Sequence, residues 1–389
     1  MGSKSRHLRS GYTTGACAAA AAKGATLLLL SGAPFAAGEA GQGPVSEGRA
    51  GAVEIPFPDC SRHAFAMERT WREAGGAAYA SVIKDAGDDP DVTHGAEIVA
   101  RVVFRDAPDG AAGAGPRVVV IKGGEGVDVV TRPGLPLAIG EAAINPGPRA
   151  MVVEAVMEAL TTGPVSSRKP PSAIEVTISV PTGASLAKKT LNSRLGIVGG
   201  ISILGTSGIV RPLSSEAWTA TISASMSVAR AMGRKEIVLS TGRASEAALV
   251  ARYAFPEETC VMMGDYVEYA LLEAKRHRFD RVHMCAQWAK MLKIAMATPQ
   301  THVSHGVIDA ARAAAFLADL GFPDLEGREF TTTREIFELI ADGSGGTRQA
   351  LARVCAAAKD FAESITLGVP VSVYLVSYKK EVIARTWLS

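Results

Sequence analysis

The feature that most constrains the fold is a strand–loop–helix pattern that occurs three times in the second half of the chain. Short apolar runs at Glu236–Ser240, Thr259–Met263 and Arg281–Cys285 are each followed by a short loop and then by helical periodicity. This alternation predicts βαβ units and a parallel sheet. We therefore expect residues 216–389 to form an α/β, Rossmann-like domain, although a G-x-G-x-x-G dinucleotide fingerprint follows none of the strands.

The short loops after these strands are the first candidates for a ligand site. Open parallel sheets bind ligands outside the carboxyl ends of their strands. Asp265 has two open roles: its carboxylate could accept hydrogen bonds from a cofactor, or it could cap a helix that starts at Tyr266. The loops supply these cofactor-binding candidates: Thr241, Gly242, Arg243, Gly264 and Asp265.

The first half alternates apolar and polar residues over several short runs. It predicts a strand-rich α+β domain over residues 1–215, with helices packed on one sheet. A helix is expected at Met151–Leu160, and a short helical turn at Leu186–Leu191. The predicted strands are 52–58, Arg62–Trp71, Ala78–Ile83, Ile98–Phe104, Arg117–Ile121 and Ala173–Val180.

The N-terminal region resembles a secretory signal peptide, because basic residues precede the run CAAAAAKGATLLLLSGA. Lys23 interrupts that run, and Thr13 offers an N-cap, so we predict a structural helix at about Gly15–Leu30 instead. No uninterrupted apolar run reaches the ~20 residues of a membrane span. The Gly/Ala-rich segment at about 33–51 has no hydrophobic period and predicts a mobile surface insertion.

Charge and cysteine usage narrow the class of protein. The chain has 41 basic and 39 acidic residues, a net charge of +2, and no basic stripe of the kind that nucleic-acid binders show. Its 5 cysteines are scattered and form no C-x-x-C pair. Free thiols in a reducing cytoplasm fit this pattern better than disulfides or a protein-bound metal.

The stretch LGIVGGISILGTSGIVRP, residues 195–212, predicts an anion-binding loop. Gly200 and Gly205 have P-loop spacing, but Thr206 stands where the lysine must be, which argues against a nucleotide triphosphatase. Unobstructed backbone N–H groups could still form a nest for a carboxylate or phosphate. The anion-binding candidates are Gly205, Thr206 and Ser207, with the cations Lys188, Lys189, Arg194 and Arg211 nearby in sequence.

Three other loops carry polar groups. In VIKDAGDDPDVTHG, Asp88 or His94 could act as a general base, the aspartates could hold a hard cation, or the loop could be a solvated turn. His302 and His305 could share a metal or belong to a polar loop. The loop Ile121–Arg149 either recognises carboxylates or is a structural crossover. The further substrate-binding candidates are Lys84, Arg132, Asn145 and Arg149.

Long motifs that occur in order along the chain carry a resemblance to a known family: GYTTGACAAAAAKGA, VIKDAGDDPDVTHGAEI, TRPGLPLAIGEAAINPGPR, TISVPTGASLAKKTLNSRLGIVGGISILGTSGIVRP and MGDYVEYAL. Together they resemble the cobalt-precorrin-5B C1-methyltransferase family of anaerobic cobalamin biosynthesis, almost end to end. The chain departs from the family pattern at CAQWAKMLKIAMA, around Trp288, and at ATPQTHVSH.

The resemblance implies an enzyme that transfers a methyl group from S-adenosylmethionine to C1 of a cobalt-containing tetrapyrrole, giving cobalt-precorrin-6A. Asp88 or His94 would take the proton that the ring sheds. Two alternatives stay open, a non-catalytic tetrapyrrole carrier and a phosphate-transfer enzyme that uses the glycine nest. The expected partners are the tetrapyrrole, neighbouring pathway enzymes and further copies of the chain, with neither nucleic acid nor membrane.

Overall fold

The structure is a computed structural model that describes residues 8–31, 51–105, 118–163, 171–190, 192–212, 215–301, 308–322, 325, 327–342 and 347–386. The chain divides into two compact units, Met1–Ser214 and Ser215–Ser389. Within these described ranges, no helix is long and apolar enough to cross a membrane. The predicted insertion at 33–51 lies outside the described residues, apart from Gly51.

The first unit alternates short strands with two long helices. A 3-10 turn at Asn192–Leu195 follows a short helix at Gly183–Ala187. Its elements in chain order are β1 (Gly11–Tyr12), α1 (Thr14–Leu30), β2 (Ala52–Pro56), β3 (Arg62–Ala66), β4 (Arg69–Arg72), β5 (Ala78–Ile83), β6 (Glu97–Arg105), β7 (Val118–Gly123), β8 (Val129–Val130), α2 (Pro146–Thr162), β9 (Ala173–Ser179), α3 (Gly183–Ala187), β10 (Ile197–Val198) and β11 (Ile209–Val210).

The core of this unit lies between the helix pair and a five-stranded sheet in the order β4-β5-β6-β9-β7. Neighbouring strands are antiparallel, except that β7 and β9 run parallel. Helix α1 packs on both α2 and the sheet, because its alanines between Ala16 and Ala22 are buried and small enough to let the backbones approach. The predicted structural helix is confirmed, and the Thr13 hydroxyl caps it by accepting from the N–H of Ala16.

Two local predictions for this unit were wrong. The single strand predicted at Arg62–Trp71 is two strands, β3 and β4, which belong to different sheets. The chain changes sheets where the N–H of Glu68 donates to the carbonyl of Ser81 on β5 (2.8 Å). The helical turn predicted at Leu186–Leu191 is the helix α3, which begins earlier and ends at Ala187.

The second unit is built around one sheet with helices on both faces. A 3-10 turn at Glu257–Thr259 lies directly before the strand Cys260–Met262. Its elements in chain order are α4 (Ser215–Ala231), β12 (Glu236–Ser240), α5 (Arg243–Tyr253), β13 (Cys260–Met262), α6 (Val267–Arg276), β14 (Arg281–Gln287), α7 (Trp288–Ala295), α8 (Ala310–Asp319), α9 (Thr333–Asp342), α10 (Thr347–Thr366), β15 (Val371–Val376) and β16 (Val382–Arg385).

The sheet of the second unit has the strand order β13-β12-β14-β15-β16. The first four strands run parallel and β16 runs antiparallel to β15, which confirms the predicted parallel sheet. The chain leaves β12 for β13 on one side and then continues at β14 on the other side. In an open parallel sheet, such a reversal opens a crevice at the carboxyl ends of the two strands, here β12 and β14.

Candidate functional site

The GYTTG motif joins distant loops into one junction of the first unit. Strand β1 pairs with β11, and the N–H of Thr13 donates to the carbonyl of Gly208 (2.9 Å). The N–H of Tyr12 donates to the carbonyl of Asp85 (2.7 Å), which attaches the aspartate-rich loop. Three of the motifs singled out in the sequence therefore meet at the start of α1.

The same junction contains the start of α2. Gly205 has φ +116°, and a Cβ there would lie 2.3 Å from the Cβ of Thr13. Thr206 lies beside Gly147 in the first turn of α2, where a Cβ on Gly147 would lie 3.3 Å from the Thr206 Cα. The predicted residue Asn145 is the N-cap of α2, with no hydrogen bond from its side chain to the helix. Helix N-termini carry partial positive charge, so this end of the unit favours an anion.

Much of the predicted glycine nest is used inside the protein. The N–H of Gly200 donates to the Asp128 carboxylate, and those of Ile201 and Ile203 donate to backbone carbonyls at 3.0 and 2.8 Å. Within the described part of the chain, the N–H groups of Thr206 and Ser207 have no acceptor. The part of the nest that can bind an anion is therefore its second half, beside the helix starts.

Asp88 and His94 both lie at this junction. Asp88 closes a reciprocal pair with Arg9: its N–H donates to the Arg9 carbonyl (2.9 Å), and its Oδ2 accepts from the Arg9 N–H (2.7 Å). Nδ1 of His94 accepts from the N–H of Ala86 (3.1 Å), so Nε2 carries the proton in the neutral ring. The Arg9 guanidinium contacts Asp85 at 2.5 and 2.8 Å and lowers the pKa of that carboxyl to about 2.

Lys84 is a buried member of the aspartate loop. Its side chain is only 1% exposed, and its ammonium lies 2.5 Å from Oδ2 of Asp91. Burial alone would raise the pKa of Asp91, but Lys84 and the hydrogen bonds from Thr93 outweigh burial and hold that pKa below its usual value. The predicted contact between Lys84 and a substrate would require this pair to open.

A cleft of about 430 Å³ is lined in part by the end of β7 and by the loop that follows it. Arg149 lines it, with Nε donating to the carbonyl of Ile144 (2.7 Å) and Nη2 to that of Ala142 (3.3 Å). These bonds fix the guanidinium plane, while Nη1 has no acceptor among the described residues. The cleft is lined mainly by Lys122, Gly123, Gly124, Asp128, Glu141 and Arg149.

Asp128 lines this cleft and was not among the residues predicted from the sequence. Its side chain is buried, and besides the Gly200 N–H it accepts from Nδ2 of Asn192 (3.3 Å). Burial raises its pKa, although these two donors oppose the shift. The available signal was an acidic residue inside the apolar run Val127–Val130, because such a residue needs a partner when the run is buried.

The remaining predicted cations of the first unit are dispersed around the glycine stretch. Nη1 of Arg132 donates to the carbonyl of Arg194 (2.9 Å), and its stem covers Gly196. The described side chains of Lys188, Lys189 and Arg211 are exposed. The structure thus brings Arg132 and Arg194 together, and leaves the other three on the surface.

In the second unit, the predicted cofactor residues meet at the carboxyl ends of β12 and β13. Lys290, in the first turn of α7, connects them: its Nζ donates to the carbonyl of Thr241 (3.0 Å) and lies 3.0 Å from Oδ1 of Asp265. Thr301 donates its hydroxyl to the same Oδ1 (2.6 Å). One carboxylate therefore anchors the loops after β12 and β13 and the start of α7.

The space around these loops differs between the two glycines. A Cβ on Gly242 would meet no atom within 4 Å, so a ligand can approach this backbone directly. Gly264 is instead packed against the indole of Trp218, whose Nε1 donates to the carbonyl of Met263 (3.2 Å). Helix α6 begins one residue later than the capping role assumed, at Val267, with Tyr266 as the N-cap residue, so Asp265 lies one position before the N-cap.

The sequence reasoning missed Lys290, Thr301 and Trp218 as site residues. A signal existed for Lys290, since it lies in the first turn after the third strand, where the rule that selected Asp265 also applies. The exposed Arg243 begins α5 next to Gly242. His302 and His305 lie outside the described residues.

These features define a mixed α/β protein whose predicted cofactor residues lie at one edge of a parallel sheet. A family model described as CbiD matches residues 1–212, which is more than half of the chain. The chain belongs to the CbiD family, and the resemblance carried by its motifs is confirmed.

The similarity to curated relatives extends over nearly the whole chain. A protein of Desulfotalea psychrophila is 46% identical over 97% of this chain and 98% of its own length, and one of Geobacter metallireducens is 44% identical over 97% and 98%. Both are named cobalt-precorrin-5B C(1)-methyltransferase. A crystal structure of a cobalamin biosynthesis protein (cbiD) from Archaeoglobus fulgidus is 25% identical and covers 74% of this chain and 79% of that one, with a TM-score of 0.37.

Proposed function

We propose that this protein is a methyltransferase that transfers a methyl group to C1 of cobalt-precorrin-5B and gives cobalt-precorrin-6A. The observation that carries the proposal is the 46% identity over 97% of the chain to a relative named for that reaction. The cobalt belongs to the substrate. The proposed setting is the cytoplasm, in agreement with five cysteines that are all free.

We assign the methyl donor, S-adenosylmethionine, to residues 216–389, as a Rossmann-like cofactor domain. The donor set there fits the molecule. Gly242 leaves room for a ligand at the backbone, and the carboxylate of Asp265 can accept from ribose hydroxyls or the amino group. Arg243 and the N–H groups at the start of α5 suit the carboxylate of the amino-acid part. When bound, S-adenosylmethionine supplies an activated, electrophilic methyl group.

We assign the tetrapyrrole to residues 1–215. Its acetate and propionate carboxylates require anion-binding groups, and the junction offers Thr206 and Ser207 beside two helix N-termini. Arg149, with its guanidinium held by two carbonyls, offers a directed donor in the cleft. The exposed cations Lys188, Lys189 and Arg211 would meet the ring periphery. These groups bind and orient the ring, and orientation supplies most of the rate when the donor is already activated.

The reaction is tested by anaerobic incubation of the purified protein with methyl-labelled S-adenosylmethionine and enzymatically prepared cobalt-precorrin-5B. Mass spectrometry of the ring should show one added methyl group, located at C1. Ring that is bound but unmethylated would refute the enzyme assignment and favour the carrier. Tight ATP binding without any effect of S-adenosylmethionine would favour phosphate transfer instead.

The cofactor site is tested separately by calorimetry on Asp265→Ala. Loss of a charge-assisted hydrogen bond should weaken S-adenosylmethionine binding by about tenfold or more, equivalent to ~1.4 kcal/mol. Asp280→Ala is the matched control, because Asp280 lies just before β14, at the opposite edge of the sheet. Equal affinities of the two folded variants would sink the assignment of Asp265.

A further inference from the structure

A line of hydrogen bonds runs from Tyr12 of the GYTTG motif to the hairpin of β2 and β3. The Tyr12 hydroxyl lies 3.3 Å from Nδ1 of His63, and Nε2 of His63 lies 3.1 Å from Oγ of Ser61. The Ser61 hydroxyl lies 2.6 Å from Oδ1 of Asp59. None of these four side chains has a role in the function proposed above.

The direction of each bond follows from the chemistry of its members. The hydroxyl and N–H of Ser61 hold the pKa of Asp59 below its usual value, so this carboxylate is ionised and can only accept. The Ser61 hydroxyl therefore donates to Asp59, and its oxygen accepts from Nε2–H of His63. In the neutral ring, Nδ1 then carries the lone pair, and it accepts from the Tyr12 hydroxyl.

The line connects the junction to solvent. Tyr12 is half-buried, packs against the ring of Phe65 (4.5 Å between centroids) and lies next to Thr13. His63 lies over Phe57 (4.3 Å), and a Cβ on Gly208 would come within 2.6 Å of the same Phe57 ring. Asp59, at the other end, is exposed. A proton that enters at Tyr12 thus has a path to water.

We propose that Tyr12 and His63 form the proton-accepting relay of the reaction, with Ser61 and Asp59 as positioning residues. The inference rests on the proposed function. When C1 of the ring forms its bond to the methyl group, the sulfur–methyl bond of the donor breaks and its electron pair stays on sulfur. The ring therefore gains one positive charge and must release one proton to keep its charge. That proton passes to the Tyr12 oxygen while the hydroxyl proton of Tyr12 passes to Nδ1 of His63. The resulting imidazolium is stabilised through Ser61 by the Asp59 carboxylate, and returns the proton to water.

The relay can accept a proton at the Tyr12 oxygen, whereas His94 has no free lone pair to accept one. Nδ1 of His94 accepts from the Ala86 N–H and its Nε2 carries the proton, so the ring offers no lone pair in this arrangement. The Asp88 carboxylate already accepts from the Arg9 N–H, and the Asp88 N–H donates to the Arg9 carbonyl. In contrast, Tyr12 can accept and donate in one movement, because His63 is already oriented to take its proton.

The test compares Tyr12→Phe and His63→Phe, which keep the aromatic packing, in anaerobic single-turnover methylation. Both variants should methylate about 100-fold more slowly, within the range expected for lost acid–base catalysis. Tyr79→Phe is the matched control, because Tyr79 stacks on Trp71 away from the relay, and its rate should equal that of the wild type. Ring binding, followed by absorbance, should stay within about threefold in all variants.

A second readout does not depend on turnover. Imidazole ¹⁵N NMR should show His63 in the Nε2–H tautomer, and Ser61→Ala should shift it towards the Nδ1–H tautomer. An active wild type with an equally active Tyr12→Phe, or a wild-type His63 in the Nδ1–H tautomer, would overturn the relay alone. A wild type that binds the ring without methylating it would overturn the proposed function, and the relay with it.

Discussion

Asp91→Asn tests whether the buried Lys84 ammonium is part of the framework of the first unit. The substitution removes one charge and little else. Oδ1 of Asp91 accepts from the N–H and hydroxyl of Thr93 at 2.7 and 2.6 Å, and the amide oxygen of asparagine can keep both bonds. The other oxygen faces Lys84, whose side chain is 1% exposed. The variant therefore leaves a buried ammonium without its counter-ion.

The expected loss in free energy of unfolding follows from the different exposures of the two side chains, 1% for Lys84 and 25% for Asp91. Breaking a buried ion pair by removing one partner costs about 3–5 kcal/mol. Asp91 is 25% exposed, so water can approach Lys84 where the carboxylate was, and we expect the lower end, about 3 kcal/mol. Lys84→Met removes the buried charge itself and should cost less than about 1 kcal/mol, because a well-packed apolar side chain can replace a buried ion.

Urea denaturation followed by circular dichroism measures these differences, with the transition of the first unit analysed separately if two transitions occur. The double variant Lys84→Met/Asp91→Asn should resemble Lys84→Met, because no buried charge is left unpaired. Equal costs for Asp91→Asn and Lys84→Met would refute the reasoning. Unchanged ring binding in Lys84→Met would also remove Lys84 from the substrate-binding candidates predicted from the sequence.

The pH dependence of the same pair has a definite sign. The pKa of Asp91 is lowered in the folded protein, so the pair contributes its stability above the ordinary pKa of an aspartate, about 3.9. That contribution is lost as the pH falls through the lowered value. As the pH falls through the lowered pKa of Asp91, the wild type should therefore lose stability that Lys84→Met/Asp91→Asn does not lose.

Two further predictions concern single residues. Gly205→Ala should lower the free energy of unfolding by about 2 kcal/mol or more, because the position combines a positive φ with a clash against Thr13. Gly76→Ala is the control, also at positive φ but in open space, and should lower it by only about 1 kcal/mol. The urea midpoints of the two variants measure the difference. Burial lowers the pKa of His283, although Glu236 acts to raise it, so the second unit should lose stability as the pH falls below about 6.5. In thermal unfolding, His283→Phe should reduce the dependence of the unfolding temperature on pH in this range. An equal pH dependence in the variant and the wild type would contradict this.

Hydrophobic periodicity predicted the second unit well because it is a local property. The apolar runs of β12, β13 and β14 are buried on both faces, and each is followed by a helix, so the pattern specifies parallel strands. The same reasoning merged β3 and β4, because alternation continues through Ala66 and Met67 while the chain passes from one sheet to another. Periodicity reports which face a residue occupies, but not which strand it pairs with.

The candidate site depends on pairings that are distant in sequence. Lys290 reaches Thr241 and Asp265 because β12 and β13 end, and α7 begins, at one edge of the sheet, and topology alone indicates that edge. Tyr12 reaches His63 because the β2–β3 hairpin packs under the GYTTG motif, and nothing in either segment specifies that contact. The sequence could therefore predict the location of the proposed cofactor site, but not the partners that form the proposed relay.

The glycine stretch shows why a motif overstates a binding site. A Cβ at Gly200 would lie 2.1 Å from the carbonyl oxygen of Gly126, and one at Gly208 would meet Phe57. These glycines are therefore required for close packing. A glycine-rich sequence of this kind looks the same whether its glycines serve close packing or form a phosphate-binding nest. Gly242 lies in a less conspicuous loop, yet it has open space beside it. A glycine indicates a ligand only where the protein leaves the missing side chain's volume empty, and that property appears only in three dimensions.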